Sequence, residues 1–538
     1  MKKIFLFMML AFILVIAACS NNEDAEGEQE GTDQPNSSEN TGSGATDSEP
    51  KGELKVGIMS QPTTLDAPMT TEAIVRDISI NIYETLLTLD EENKPVPMLA
   101  ESVEANDEGT EFTFKLREGV KFHNGSEMTS EDVLASMNRW KEVAGTALAA
   151  LQEATFEAPD EYTFVMTIPS PQSDILDLLA GQGQYPAIMP KEVIDEAGSS
   201  GVNEYIGTGP FKFEEWRQDQ YIHLTAFTDY VAVDEPASGL AGKKAALVED
   251  LYFYITKDTS TLLTGVQTGE FDIAFSVAFD NYEQVKNDEN LNVYSAYFGT
   301  MNLVYNKKEG PFQDVKMRQA VNAALNASDA MLGAFANEEL YRMGHSYMNQ
   351  DVANWYSEAG EEGYNQADVE KAKQLLEEAG YNGEELTLLT SRDIEYHYNI
   401  AVIVQEQLKQ IGMNVSIDVY DWATHVEKRG EPGNWDLLTA GFNYSTTPTQ
   451  IPTLRSDWPG WTDDPKISEM MSEIGKTMDL TEGKAIWDEL QAYSWTEYVP
   501  FTQFGAVPVI IAANKNVENL VVMDRPIMMP LWNTSINK

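Results

Sequence analysis

The sequence predicts an α/β fold that includes a separate β-rich unit, and three patterns indicate it. Apolar residues alternate with polar ones near the start of the folded region, at Leu54, Val56 and Ile58, as in a strand. Further along, apolar residues recur at spacings of three and four, which is typical of helices. Strands and helices alternate there, which favours a largely parallel sheet with helices on both faces. With 538 residues, 42% of them hydrophobic, the chain can bury a large core in about two to four domains.

The β-rich unit is predicted between residues 86 and 200. Two alternating runs, one at Phe112 to Leu116 and one at Tyr162 to Ile168, are bounded by Gly- and Asp-rich turns. Between them Thr129 or Ser130 can cap a helix whose first turn contains Glu131 and Asp132.

The second half of the chain carries the strand–helix alternation. Predicted helices end at Gly380 and Gly412, since glycine is the usual residue just after a helix. Asp421 can cap a short helix. The predicted strands lie at 386–390, 413–419 and 435–440. Ligands of such sheets bind outside the carboxyl ends of the strands.

The first nineteen residues have the pattern of an export signal. Lys2 and Lys3 precede an uninterrupted apolar run at 4–18, which is too short to span a bilayer but suits a signal peptide. The run ends in two alanines and Cys19, the only cysteine of the chain. This pattern resembles the lipobox of bacterial lipoproteins, which implies cleavage before Cys19 and lipidation of Cys19.

An acidic stalk is predicted to follow. Residues 20–52 contain nine acidic residues and one lysine, with no aromatic residue and no Val, Ile, Leu or Met. Such a segment cannot bury enough apolar surface to fold, so we expect a disordered tether.

Composition and motifs exclude several classes of function. A formal net charge of −51 argues against nucleic-acid binding, which needs clustered cations. The sequence has no P-loop and no G-x-S-x-G nucleophile motif, and no two of its five histidines have metal-ligand spacing. We therefore predict no catalytic residues, no metal site and no cofactor.

Several blocks of the chain, taken in order, resemble one family. They are LREGVKFHNG at 116–125 with TSEDV at 129–133 and Arg139, IGTGPFKF at 206–213, FQDVKMRQA at 312–320 and AKQLLEEAGY at 372–381. These blocks are similar to those of the peptide- and nickel-type solute-binding proteins of ABC importers. The resemblance covers about residues 54–538.

The resemblance implies a two-lobed, flytrap-like fold with three structural domains and mixed sheets. The expected organisation is a signal peptide at 1–18, lipidated Cys19 with the stalk at 19–52, lobe I at 53–85, 201–302 and 501–538, the inserted β-rich domain at 86–200, and lobe II at 303–500. It also implies a ligand enclosed between the lobes, delivery to a permease driven by a separate ATPase, and a position on the outer face of the cell membrane, held there by the lipid anchor.

The resemblance further implies where a ligand binds. Arg392, after the strand at 386–390, stands where an arginine of some relatives pairs with a peptide carboxylate. Polar and aromatic candidates for the cleft are Tyr396, Phe442, Asn443, Tyr444 and Ser445, with Tyr398 as a further aromatic candidate. Where relatives have an aspartate that holds the peptide amino group, this chain has Ser445. Trp422 and Trp435 are predicted to be core residues, and His123 to be structural.

Because Ser445 stands in place of that aspartate, the sequence does not decide between several functions. The first hypothesis is a lipid-anchored receptor for peptides of the oligopeptide and dipeptide class, without catalysis. The alternatives are a receptor of the same fold for a nickel chelate, sugar or other small solute, an exported enzyme, or a surface receptor or chaperone.

Overall fold

The computed structural model describes residues 49–537, so the predicted signal peptide, Cys19 and nearly all of the predicted stalk lie outside the described residues. The strands in this part of the chain are β1 (Glu53–Ile58), β2 (Leu87–Leu89), β3 (Pro95–Pro97), β4 (Ala100–Ala105), β5 (Glu111–Leu116), β6 (Thr155–Asp160), β7 (Thr163–Thr167), β8 (Phe211–Arg217), β9 (Tyr221–Ala226), β10 (Asp250–Ile255), β11 (Ile273–Val277), β12 (Leu291–Tyr305), β13 (Arg342–Met343), β14 (Glu385–Ser391), β15 (Asn414–Tyr420), β16 (Leu437–Asn443), β17 (Phe501–Asn514), β18 (Val517–Glu518) and β19 (Ser535–Ile536).

The α-helices alternate with these strands in the second half of the chain. They are α1 (Ala73–Ser79), α2 (Ser130–Val143), α3 (Gly145–Leu151), α4 (Ile175–Leu179), α5 (Lys191–Asp195), α6 (Thr259–Thr268), α7 (Tyr282–Lys286), α8 (Val315–Ala324), α9 (Ala327–Phe335), α10 (Val369–Glu378), α11 (Glu395–Gln410), α12 (Trp422–Arg429), α13 (Pro465–Lys476) and α14 (Leu480–Tyr493). Between residues 49 and 537, no helix has both the length and the apolar character of a membrane-spanning segment.

One large sheet runs through the protein in the order β15-β14-β16-β12-β17-β11-β1-β10-β9-β8, and β13 pairs with β17 beside it. Pairing is parallel where β14 meets β15 and β16 and where β1 meets β10 and β11. The other pairs are antiparallel. The three strands predicted in the second half of the chain, β14, β15 and β16, pair in parallel as expected, and long antiparallel strands join them to the other parallel region, which makes the sheet mixed.

Those joining strands, β12 and β17, are the longest in the described chain. Their register shifts between Tyr297 and Gly299, which divides the pair into two parts. On one side β17 pairs with β11, and on the other side β12 pairs with β16. The two strands therefore belong to both parts of the sheet.

The β-rich unit is confirmed as a four-stranded antiparallel sheet in the order β4-β5-β7-β6. Its core contains Phe112, Phe114 and Phe164, with Trp140 of α2 packed in the same cluster. Thr129 and Asp132 form a capping box at the start of α2, as the sequence pattern predicts. The seven segment boundaries given above stay predictions.

Two contacts of the motif blocks help to hold the fold together. His123 contacts the glycine turn, with its Nε2 3.0 Å from the Gly209 carbonyl and its Nδ1 accepting from the Gly207 amide at 3.2 Å. The structural role predicted for His123 is therefore confirmed. Arg139 of α2 forms an ion pair with fully buried Asp66, which also accepts from the Val202 amide at 3.0 Å.

Arg139→Ala should destabilise the protein by about 3–5 kcal/mol, since it leaves the buried Asp66 carboxylate without its charge partner. Urea unfolding of the purified protein measures this change. Lys257→Ala is the matched control, because the Lys257–Asp219 pair is exposed and such pairs contribute about 1 kcal/mol or less. Equal losses in both variants would contradict the prediction.

Gly299→Ala should also destabilise the fold, by about 2–4 kcal/mol. A Cβ at Gly299 would lie 1.8 Å from the Phe442 carbonyl oxygen, so β12 and β16 would have to separate. Gly344→Ala is the control, because nothing lies within 4 Å of a Cβ there. Urea unfolding measures the stability of both variants. If Gly299→Ala were as stable as Gly344→Ala, the register of β12 and β16 would not be constrained at Gly299.

Candidate ligand-binding cavity

A cavity of about 1000 Å³ lies beside the end of β16. One wall comes from residues 441–458 and from α13, and the facing wall comes from α2 and residues 172–184 of the β-rich region. The lining also includes Arg429 of α12 and Asp524, Arg525 and Pro526. A volume of this size is at the upper end of the range for small-molecule sites, so the cavity can hold an extended organic ligand.

Four of the predicted site residues lie together in this cavity. Phe442, Asn443, Tyr444 and Ser445 line it directly after β16. The Phe442 ring packs edge-on against Trp458 with centroids 4.9 Å apart, and the Tyr444 amide donates to the Phe298 carbonyl at 2.9 Å. Burial raises the pKa of Tyr444, so its hydroxyl stays a neutral donor and acceptor.

The other two predicted residues lie elsewhere. Arg392 is exposed, and its guanidinium donates to the Tyr398 hydroxyl at 3.1 Å and covers the Tyr398 ring. Tyr396 packs against Phe335 and Phe279, with centroid distances of 5.5 and 6.4 Å, at the edge of the largest core. Neither residue is part of the cavity lining.

The two walls touch through a short segment of the β-rich region. The Ser173 amide donates to the Gly475 carbonyl and the Ser173 hydroxyl to the Ile474 carbonyl, both at 2.8 Å. The next residue, Asp174, accepts from Thr447 and Thr449 on the facing wall. These contacts hold the cavity walls together on one side.

Three of the six charged side chains that line the cavity form ion pairs. Arg455 pairs with Asp457, and Asp524 pairs with Arg342, which itself lies outside the lining. Arg525 donates instead to the Asp90 carbonyl at 3.2 Å.

Arg429 has its guanidinium near the Trp458 ring, 5.7 Å from the ring centroid. No carboxylate of residues 49–537 lies within ion-pair distance of it. Burial lowers the pKa of this guanidinium. Sequence reasoning missed Arg429 because its position near Trp458 depends on the tertiary fold.

Two histidines that are 28 positions apart in the sequence lie on either side of Trp422. Trp422 stacks on His425 with centroids 5.0 Å apart and meets His397 edge-on at 5.9 Å. Both histidines are about 1% exposed, and burial lowers the pKa of His397 to about 3 and of His425 to about 4. No group of three or more metal-ligating side chains occurs in the described part of the chain.

The two tryptophan predictions had different outcomes. Trp435 is 2% exposed and is a core residue, as predicted. Trp422 is 37% exposed, so its prediction as core is wrong: one face covers His425 and the other side reaches the surface. Asp421 caps α12 by accepting from the Thr424 amide at 3.0 Å.

Comparison with known families decides the identity of the chain. Residues 94–460 match the family of bacterial extracellular solute-binding proteins, family 5 (middle region), which is well over half of the chain. This chain belongs to family 5 of the bacterial extracellular solute-binding proteins. The recognition made from the motif blocks is therefore confirmed.

Family-5 relatives cover nearly the whole protein. The chain is 27% identical over 499 residues to a probable peptide ABC transporter periplasmic-binding protein, y4tO, of Sinorhizobium fredii, which covers 88% of this chain and 91% of the relative. It is 28% identical to the oligopeptide-binding protein AppA of Bacillus subtilis, over 84% of this chain and 82% of AppA.

Solved structures of family-5 type show the same architecture. AppA of B. subtilis in complex with a nonapeptide superposes with a TM-score of 0.74 at 23% identity, over 91% of this chain and all of AppA. The binding protein AgaA in complex with agropinic acid, from A. tumefaciens R10, also gives 0.74 at 25% identity, over 90% of this chain and 99% of AgaA. The fold is the two-lobed, flytrap-like fold with mixed sheets.

Acid should destabilise this family-5 protein partly through His425. The pKa of His425 is lower in the folded protein than in the unfolded chain, so the unfolded chain takes up a proton first as the pH drops. The stability of the folded protein therefore falls as the pH drops from about 6.5 towards 4. His425→Phe keeps a ring against Trp422 but removes the titration. Between pH 7.5 and pH 4.5, the free energy of unfolding of His425→Phe should fall by about 1–2 kcal/mol less than that of the wild-type protein.

Urea unfolding of both proteins at pH 7.5 and pH 4.5 tests this expectation. The difference between the two pH dependences isolates His425 from the carboxylates that titrate in both proteins. Identical pH dependences would contradict a buried, neutral His425.

Proposed function

We propose that this protein is the lipid-anchored substrate-binding component of an ABC importer and that it captures peptides between its two lobes. The observation that carries the proposal is the cavity of about 1000 Å³ lined by Phe442–Ser445 on one wall and by the β-rich region on the other. A site of this kind suits a ligand with apolar side chains and regularly spaced polar groups.

The names of the relatives support the same ligand class. The y4tO protein is named as a probable peptide transporter component, AppA as an oligopeptide-binding protein, and AppA was solved with a nonapeptide. Delivery to a permease and a separate ATPase is part of the same proposal, as is anchoring at the outer face of the membrane through lipidated Cys19, which the lipobox-like sequence before Cys19 supports. Catalysis is not part of the proposal, because these relatives are solute-binding proteins.

A non-peptide solute is the second candidate. It is favoured by the likeness to AgaA, which was solved with agropinic acid, at a TM-score equal to that of AppA. A sugar or a metal chelate belongs to the same alternative.

The first experiment is native mass spectrometry of the protein purified without its lipid anchor, followed by denaturation and identification of any released compound. We expect peptides. In parallel, thermal unfolding with a panel of tri- to nonapeptides should show stabilisation, since a ligand that binds only the folded state raises apparent stability. A released sugar, opine-like compound or metal, together with no shift by any peptide, would overturn the peptide assignment in favour of the second candidate.

Within this function, Arg429 is the candidate for binding a ligand carboxylate. Its guanidinium lines the cavity, is partly buried and has no acidic partner among residues 49–537. A guanidinium in this state gains a charge-assisted hydrogen bond when a carboxylate arrives. Arg392 is bound to Tyr398 away from the lining, which argues against the role predicted from its sequence position.

Arg429→Ala should weaken binding of carboxylate-terminated peptides by about 1.5–3 kcal/mol, and amidation of the peptide carboxyl terminus should cost the wild-type protein a similar amount. Arg392→Ala serves as the matched control and should bind as the wild type does. Isothermal titration calorimetry measures both. If only Arg392→Ala weakened peptide binding, then Arg392 and not Arg429 would bind the ligand carboxylate, as the sequence predicts.

A further inference from the structure

The cavity lining also contains an acidic group that forms no ion pair within residues 49–537. Asp174 lies directly before α4, in the β-rich region, and lines the cavity although its side chain is only 8% exposed. Burying a carboxylate to this extent costs free energy unless a cation or several hydrogen bonds compensate its charge.

The partners of Asp174 are all neutral. Its Oδ1 accepts from the Gln172 amide at 2.9 Å, and its Oδ2 accepts from the hydroxyls of Thr447, at 3.4 Å, and of Thr449. No Lys or Arg of residues 49–537 forms an ion pair with it. Since a carboxylate offers about four acceptor positions, Oδ1 keeps room for one more donor.

A second acid, Asp177, follows one turn later in α4 but lies outside the cavity lining. Burial together with the neighbouring Asp174 charge raises the pKa of Asp177 to about 7. Neither acid forms an ion pair with a Lys or Arg of residues 49–537, so a cation that reaches Asp174 would be favourable there.

An independent observation comes from Gln182 on the same wall. Its side chain is 5% exposed, and its Oε1 accepts from the Ile527 amide at 3.0 Å. Its Nε2 has no partner, although Gln182 lines the cavity. A buried amide donor without an acceptor is unfavourable, so a ligand that offers a carbonyl oxygen here would satisfy it.

We propose that Asp174 binds a protonated amine of the ligand and that Gln182 donates a hydrogen bond to a ligand carbonyl oxygen. A free peptide amino terminus supplies such an amine and the peptide backbone supplies such a carbonyl, so this inference rests on the proposed peptide function and specifies it. Because Asp174 also accepts from Thr447 and Thr449 on the facing wall, the amine binds where the two walls meet.

The test compares two probes, a randomised pentapeptide library with free amino termini and the same library acetylated at the amino terminus. Native mass spectrometry and competition titration of ligand-free protein give the relative affinities. The wild-type protein should prefer the free-amine library by about ten-fold or more, because acetylation removes the charge that pairs with Asp174.

Two variants separate amine binding from a purely structural role. Asp174→Asn keeps a side-chain oxygen that can accept from Thr447 and Thr449 but removes the charge, so the preference should fall to about two-fold or less. Thr449→Val removes one contact between the walls and leaves the charge, so its affinities can fall but its preference for the free amine should persist. Thermal unfolding of each variant verifies that it is folded.

The outcomes are distinguishable. Binding of neither library would overturn the peptide function, and the amine site with it. Equal wild-type binding of both libraries would overturn the role of Asp174 while leaving the peptide function intact, and this comparison needs no variant. A full preference retained by Asp174→Asn, or a preference lost equally in Thr449→Val, would assign Asp174 a structural role only.

Discussion

The pairing of β12 with β17 is the constraint on which the rest of the structure depends. The two strands lie at the middle of the large sheet, and each contributes to both of its parts. β16 takes its position from β12, with Gly299 opposite Asn443, and Phe442–Ser445 follow from there into the cavity. The absence of a side chain at Gly299 is what allows this close approach to the Phe442 carbonyl. The site is thus positioned by backbone pairing rather than by loop packing.

The electrostatics of the cavity differ from those of the surface around it. The chain has a formal charge of −51, yet the cavity combines paired charges such as Arg455–Asp457 with three, Arg429, Arg525 and Asp174, that form no ion pair in the described residues. Arg429 and Asp174 have opposite signs and both line the cavity. A ligand with both a carboxylate and an ammonium group can compensate both, and a ligand of one sign cannot. The overall acidity of the protein therefore says little about what it binds.

Local patterns predicted much of the fold and part of the site. The strands around Val56 and Phe114, the caps at Thr129 and Asp421, and the placement of Phe442–Ser445 depend on neighbours in the sequence and were predictable. Arg392 lies outside the cavity lining, and its ligand role stays a prediction, since a strand end fixes a residue's position but not which way its side chain turns. Around Ser445 the sequence has no acidic residue. Asp174 accepts from Thr447 and Thr449, which lie more than 270 positions away in the sequence, so only the tertiary fold brings this acid close to Ser445.

The central place of β17 also bears on the order in which the chain can fold. β17 comes from residues 501–514 but lies between β12 and β11, so the large sheet is in two pieces until the last tenth of the chain has been made. Closing such distant contacts is slow, because the entropy of a long loop is lost before the pairing is gained. The large sheet of a chain arranged in this way stays in two pieces until β17 has been made, so its two halves are joined late.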